Sequence, residues 1–269
     1  MPLTFLSHQA VVLALKVAAP RAMSGTALVI GSMAPDVEYF LRGYPTSLIS
    51  HTWLGQLTFC LPVTLALFFV ATRLIAEPAS ANAPRWGQLR LEEYALLRQQ
   101  PSSARHWGIV SASALIGSSS HVLLDETDVL VGGAPYHALD ASPGWILANL
   151  GFWVVLAAIT IWIMTYIGRH GLLRRWAAAR SPLRADAGRP VAWGPRRAAA
   201  FWGWVAICAA AGAAYGVQYR LPSFHLNEPA TWVHVWLCTV SASFGGLVVA
   251  SVVWHIARAR RVHLIRNQT

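Results

Sequence analysis

Charge is scarce in this sequence. Only 12% of its 269 residues are Asp, Glu, Lys or Arg, about half the ~25% usual in a soluble domain. Hydrophobic residues make up 55%, and the mean hydropathy is +0.46. That balance excludes an ordinary soluble enzyme, which could not cover so large an apolar fraction. Cysteine is nearly absent too. Cys60, Cys208 and Cys238 each sit inside an apolar run without paired spacing, which excludes a disulfide framework and a thiolate metal site. They read as small packing residues. No internal repeat is visible. The net charge of +10 does not indicate nucleic acid, because the basic residues are nearly all arginine and lie between hydrophobic segments. There they act as topology signals and as contacts for anionic lipids, the expected partners.

What the chain does have is long apolar segments. A transmembrane helix needs about 20 predominantly apolar residues, and five stretches qualify: 52–76, 107–125, 145–168, 199–219 and 231–256. The segments between them alternate in charge. Residues 77–106 and 169–198 and the tail are rich in arginine, whereas 126–144 carries no Lys or Arg and 220–230 only Arg220. The positive-inside rule then places the arginine-rich segments and the C-terminus in the cytoplasm. The expected location is a cell inner membrane crossed several times. Residues 77–88, rich in Ala, Pro and Ser, read as a flexible loop.

The N-terminal segment MPLTFLSHQAVVLALKVAAP lacks an uninterrupted apolar core, since Lys16 breaks it, and it lacks preceding positive charge. It is therefore expected to be retained rather than cleaved. Two shorter helices, about 6–19 and 25–41, would form a hairpin whose turn bears Lys16 and Arg21. The expected fold class is all-α: a polytopic membrane helix bundle of five full spans plus an N-terminal pair of shorter helices. It forms one integral-membrane domain, with residues 1–130 carrying the site and 131–269 supporting it.

Topology brings a set of polar residues to one membrane face. His51 opens the first span, while His121 and Asp125 close the second. His8 and Asp36 lie at the ends of the hairpin away from its basic turn. His121 and Asp125 are four residues apart, hence neighbours on a helix face, a spacing equally suited to a shared metal and to a plain hydrogen bond. Ionisable groups in a membrane are costly and mark function. The five residues His8, Asp36, His51, His121 and Asp125 are candidate metal ligands. Their nitrogen and oxygen donors suit a divalent metal, zinc first and manganese or iron next. Glu38, two residues after Asp36, is the candidate base. His137, His225 and His234 fall on the same outer side without close partner spacing, and Gly245-Gly246 reads as a close-packing point in the last span.

The blocks PLTFLSHQAVVLAL, ALVIGSMAPDVEYFLR, SHTWLGQLTFCLPVTLAL and GSSSHVLLDETD resemble, in order and spacing, an uncharacterised family of bacterial membrane proteins. That family is known as domain of unknown function forty-one eighty-four, and the resemblance covers about the first half of the chain. More distantly, the order of His, Pro-Asp, His and HxxxD is similar to inner-membrane metal-dependent hydrolases of the YdjM type, themselves likened to zinc-dependent phospholipase C. That resemblance implies the same five residues as metal ligands. Where the related block closes on a further His, this chain has Asp128.

The expected function is a membrane-embedded metal-dependent hydrolase acting on a lipid or lipid-linked phosphoester at the outer membrane face. The alternatives are an ion or proton transporter using the same residues as a relay, or a non-catalytic scaffold in which they are a structural staple. A transporter calls for polar residues through the last three spans, and 145–168 is nearly all apolar.

Overall fold

The computed structural model describes residues 5–43, 47–84, 86–98, 103–132, 143–180, 194–220 and 229–266. Among them there are helices and no strands. Five helices are long and apolar enough to cross a membrane, in the regions Trp53–Asn82, Ala104–Thr127, Leu150–Arg169, Pro195–Tyr219 and Thr231–Arg260. With the shorter apolar helix Phe5–Ala18, this is the all-α membrane bundle that the hydropathy pattern predicts.

The chain forms two compact units interleaved in sequence: residues 1–68 with 101–172, and residues 69–100 with 173–269. The expected division at residue 130 does not mark this boundary. The first unit contains α1 (Phe5–Ala18), α2 (Gly25–Gly31), α3 (Ala34–Arg42), the first half of α4 (Trp53–Asn82), α5 (Ala104–Gly132) and α6 (Pro143–Arg169). Helix α6 belongs with the N-terminal helices for a concrete reason. Ser7 Oγ donates to the Trp153 carbonyl at 2.8 Å, and Thr160 Oγ1 donates to the Leu6 carbonyl at 2.7 Å. Both bonds tie α1 to α6 in a setting where apolar contact alone gives helices little reason to associate.

The second short helix expected over 25–41 is in fact two. Helix α2 stops at Ser32, and α3 starts with Ala34-Pro35 in its first turn. Proline has no N–H to continue the ladder and is best placed at a helix start. Gly43 closes α3 in the left-handed conformation, at φ 67°. The α1–α2 turn is stapled from within. Lys16 is buried, its stem lies against Gly25, and its ammonium donates to the carbonyls of Pro20 (2.6 Å) and Met23 (2.8 Å).

Small residues set how closely α2 and α5 pack. A Cβ on Gly31 would lie 2.4 Å from the Ala114 carbonyl oxygen, and one on Gly117 2.4 Å from that of Leu28. The two helices run alongside each other, with Ser24 N–H donating to Ser113 Oγ (2.9 Å) at one end and Ser32 beside His121 at the other.

Helix α4 widens twice into π turns, Gln56–Cys60 and Ala71–Ile75, where the N–H groups of Leu61 and Ala76 reach back to the carbonyls of Gln56 and Ala71. Each precedes a proline, Pro62 or Pro78, whose missing donor and ring clash disturb a regular helix at that point.

The second unit contains the rest of α4, the short 3₁₀ turns Gly87–Leu89 and Leu91–Leu97, α7 (Leu172–Arg180), α8 (Pro195–Arg220) and α9 (Pro229–Arg266). Residues 77–82 are the last turns of α4, so the first half of the stretch expected to be a flexible loop is helix instead. Glu77 holds that end, paired with Arg98 at 2.7 Å and with Arg258. Helices α8 and α9 pack backbone to backbone. A Cβ on Gly212 would meet the Cys238 carbonyl oxygen at 2.5 Å, and one on Gly246 would meet Cys208 Cβ at 2.7 Å. The expected packing role of the glycine pair thus belongs to Gly246 alone, because Gly245 has nothing within 4 Å. Gly246→Ala is expected to destabilise by about 1–3 kcal/mol through overpacking. Gly245→Ala should be neutral or slightly stabilising, since alanine favours the helix. Thermal unfolding of the two variants in detergent compares them directly.

Candidate metal centre

The five residues expected to converge do so in the first unit. His8 comes from the first turns of α1, Asp36 from the first turn of α3, and His121 and Asp125 from successive turns of α5. His51 lies in the turn just before α4, whose N-cap is Thr52. Asp125 is the hub. One carboxylate oxygen, Oδ1, stands 3.2 Å from His8 Nε2. The other, Oδ2, stands 3.4 Å from His121 Nε2 and 3.6 Å from His51 Nε2. Asp36 Oδ1 lies 3.5 Å from His121 Nε2. The rings are packed as well: His8 stacks on His121 at 4.1 Å, and His51 meets His121 edge-on at 5.5 Å.

The donors form two overlapping groups that share His121: His8, His121 and Asp125, and Asp36, His51 and His121. Within each group the ligand atoms lie within 4.8 Å of one another. Most of these separations are long for hydrogen bonds, which peak near 2.9–3.0 Å for N–H···O. They match the ~3.3 Å edge of a tetrahedron of N and O ligands at metal bonds of about 2.05 Å.

Burial sharpens the point. Asp36 is fully buried, and among the described residues neither of its carboxylate oxygens has a hydrogen-bond partner; the buried atoms His51 Nε2 and His121 Nε2 also lack one there. A buried carboxylate without a donor is strongly unfavourable unless a cation or proton faces it. His121 is also oriented for ligation. Its Nδ1 lies 2.8 Å from the Ser32 carbonyl, which can only accept, so Nδ1 carries the proton. In the neutral ring this leaves a bare lone pair on Nε2, the arrangement that second-shell carbonyls impose on metal-binding histidines. The start of α3 adds a partial positive charge near Asp36. The arrangement fits a cation.

Glu38, expected as a base, has a different set of partners. Its carboxylate accepts the backbone N–H groups of Leu48 (2.8 Å), Ile49 (3.2 Å) and Ser50 (2.8 Å), and it pairs with Arg42 at 3.4 Å. Burial alone would raise its pKa, but the donors from Ser50, Leu48 and Ile49 outweigh burial and hold it at about 2. These bonds shape the turn that carries His51. Gln56 Nε2 and Cys60 Sγ, presented by the first π turn, both reach the Ser50 carbonyl, at 2.8 and 3.3 Å. Gly55 lets the turn fold back over the helix start, since a Cβ there would lie 1.8 Å from the Ile49 carbonyl oxygen. Glu38→Gln removes the charge and one acceptor from this cluster of N–H groups. It is expected to cost about 2–3 kcal/mol and to loosen residues 48–50, seen as faster amide exchange there.

Sequence reasoning missed the supporting residues. Ser32 contributes a carbonyl, Ser50 a hydroxyl 3.0 Å from His51 Nδ1, Trp153 a ring tilted against His8 at 4.9 Å, and Tyr39 a ring stacked near His51 at 5.7 Å. No local pattern marks a backbone carbonyl as an orienter, and Trp153 sits in an apolar span with nothing to set it apart. Of the histidines expected on the outer side, His234 belongs to the second unit, where its ring stacks with Tyr219. Asp128 falls on α5, but its side chain lies outside the described residues, as do His137 and His225.

Residues 1–127 match the family described as Domain of unknown function (DUF4184). The matched region includes every residue of the cluster. No curated protein and no solved structure matches the chain.

Proposed function

We propose that the cluster binds a divalent cation, zinc by preference, and that the protein is a membrane-embedded metal-dependent hydrolase of a lipid or lipid-linked phosphoester. One observation supports this most: the buried carboxylate of Asp36 faces the bare Nε2 of His121, with Asp125 at near-tetrahedral spacing. His8, Asp36, His51, His121 and Asp125 would hold the metal. When bound, such a cation polarises a phosphoryl group and acidifies water toward a pKa of ~7. Glu38 acts here as a positioning residue, because its oxygens are committed to the turn bearing His51.

Access to the site favours a lipid. Asp125 and His51 are the partly exposed members, each with 21% of its side chain accessible, while the other three are closed off. Beside His51 in the chain, Leu48, Ile49, Trp53 and Leu54 are all exposed. An acyl chain can lie along these side chains and bring its phosphate to the open side of the cluster. Within this unit Lys16, Arg21, Arg105 and Arg169 lie toward the other ends of their helices or turns. The positive-inside rule then puts the cluster near the outer face of an inner membrane, with the C-terminus cytoplasmic.

The test uses purified protein in detergent. Elemental analysis is expected to find a transition metal, and phosphate release from phosphatidic acid should stop on chelation and return with zinc. Hydrolysis indifferent to chelator overturns the metal mechanism. Bound metal with ion flux and no phosphoester cleavage overturns the hydrolase in favour of a transporter.

A further inference from the structure

Among the described residues of the first unit, the buried side-chain atoms without a hydrogen-bond partner are both carboxylate oxygens of Asp36, His51 Nε2, His121 Nε2, Gln56 Oε1 and Trp153 Nε1. A cation answers the lone pairs of Asp36, His51 and His121. Gln56 Oε1 is a further acceptor, on a side chain committed through Nε2 to the Ser50 carbonyl. Trp153 Nε1 is the exception, because an indole N–H only donates and a metal ion cannot satisfy it. Leaving a buried donor bare is unfavourable, so an acceptor oxygen belongs there. A tryptophan near a membrane surface ordinarily gives its N–H to water or to a lipid headgroup. Trp153 lies three residues into the span that starts at Leu150, yet it is only 5% exposed, and that outlet is closed to it.

The indole is part of the wall of the metal centre. Its ring packs against His8 at 4.9 Å and 34°, and His8 in turn stacks on His121 at 4.1 Å. The Trp153 backbone is held by α6, and its carbonyl accepts from Ser7 Oγ, one residue before His8. His8 Nε2 stands 3.2 Å from Asp125 Oδ1, and Asp125 is a partly exposed member of the cluster. An anion entering beside Asp125 therefore arrives next to the His8–Trp153 pair. The oxygens of the incoming group then decide its class. A carboxylic ester presents one carbonyl oxygen, which the cation would take. A phosphoryl group presents a second non-bridging oxygen for a donor beside the cation.

Resting on the hydrolase reading above, we propose that Trp153 is a catalytic residue: its Nε1–H donates to one non-bridging phosphoryl oxygen of the substrate while the cation holds another. This pairing selects a phosphoester over a carboxylic ester. No proton is transferred. The N–H stabilises negative charge on the phosphoryl oxygens from a fixed, water-poor position. Phenylalanine at this position keeps a ring against His8 and loses the donor.

The full chain, zinc-loaded in detergent and carrying isotope-labelled tryptophan, is titrated with inorganic phosphate beside Trp153→Phe. Zinc content is expected to be the same in both proteins. In the parent, one indole N–H resonance that the variant lacks should move downfield as phosphate binds, and should stay in place in excess chelator. Trp153→Phe should bind phosphate about 10–100-fold more weakly, as for loss of a hydrogen bond to a charged group. It should lose a similar factor in kcat/KM for phosphate release from phosphatidic acid. If that variant does not fold, Trp153→Tyr, which also lacks the indole N–H, takes its place. A parent that binds zinc and phosphate with this resonance unmoved, or a variant that binds phosphate equally well, overturns the proposal in favour of a buried water at Nε1. The hydrolase reading then still stands. A parent that binds no zinc overturns that reading and the proposal together. Release of fatty acid in place of phosphate overturns the selection of a phosphoester.

Discussion

Asp125→Asn is expected to strip the protein of metal while leaving its helices intact. Among the described residues, Asp125 is the one that faces three imidazoles, with Oδ1 toward His8 and Oδ2 toward His51 and His121. Asparagine keeps the shape but loses the charge and replaces one oxygen by a donor. Loss of second-shell partners alone lowers metal affinity 10–100-fold, so removal of this carboxylate should exceed a 100-fold loss. Elemental analysis after dialysis is expected to fall from about one equivalent to less than a tenth. Measured in excess chelator, the melting temperatures of parent and variant should agree within a few degrees, because neither then carries a cation. If instead the variant loses its fold even in chelator, and the parent holds no metal, the cluster is a structural staple and the catalytic reading goes with it. Asp36→Asn provides a contrast. It removes a buried, unpartnered carboxylate, so the metal-free variant should be more stable than the metal-free parent, whereas the metal-loaded parent should be more stable than either.

Gly117→Val should be among the most damaging single changes in the first unit. Any Cβ at position 117 falls 2.4 Å from the Leu28 carbonyl oxygen and 2.9 Å from the Ser32 backbone nitrogen. Both neighbours are backbone, so no side-chain rotation relieves the clash. Overpacking in a tight interior costs about 1–3 kcal/mol even where neighbours can shift, and the penalty here should lie at or beyond the upper end. The consequence reaches the site. Helix α2 leads directly into Ser32, whose carbonyl orients His121, and into the turn before Asp36. Prising α2 from α5 therefore separates Asp36 from His121. Folded yield by fluorescence size-exclusion is expected to fall by tenfold or more, and any protein that survives should bind metal weakly. Gly151→Val, at a position with nothing within 4 Å, serves as the control and should be near neutral. Equal yields for the two variants would sink the close-packing account.

Much of the site could be read in advance because it follows from topology. His51, His121 and Asp125 lie near span ends, and alternating arginine content predicts that those ends share one side. His8 and Asp36 joined them through the hairpin argument, and the structure places both against His121 or Asp125. The partners of Glu38 are hidden in the sequence for a clear reason. A carboxylate two residues from a ligand looks like a base in sequence, but its partners are backbone N–H groups ten to twelve residues onward, and no composition or period reveals them. The break at Ser32–Met33 was hidden in the same way: the run ALVIGSMAPDVEYFL reads as one helix until Pro35 is weighed as a start instead of an interruption.

The amino-acid order alone determined the fold class and the five apolar spans, since these depend on local hydropathy summed over about 20 residues at a time. Only the tertiary structure decided which donors face one another, that α6 packs with the N-terminal helices, and that Gly246 rather than Gly245 lies at a crossing. Those outcomes turn on ångström-scale approach between segments far apart in the chain, set by glycine contacts and by single hydrogen bonds such as Ser7 to Trp153. Contacts of that kind leave no periodic trace along the chain.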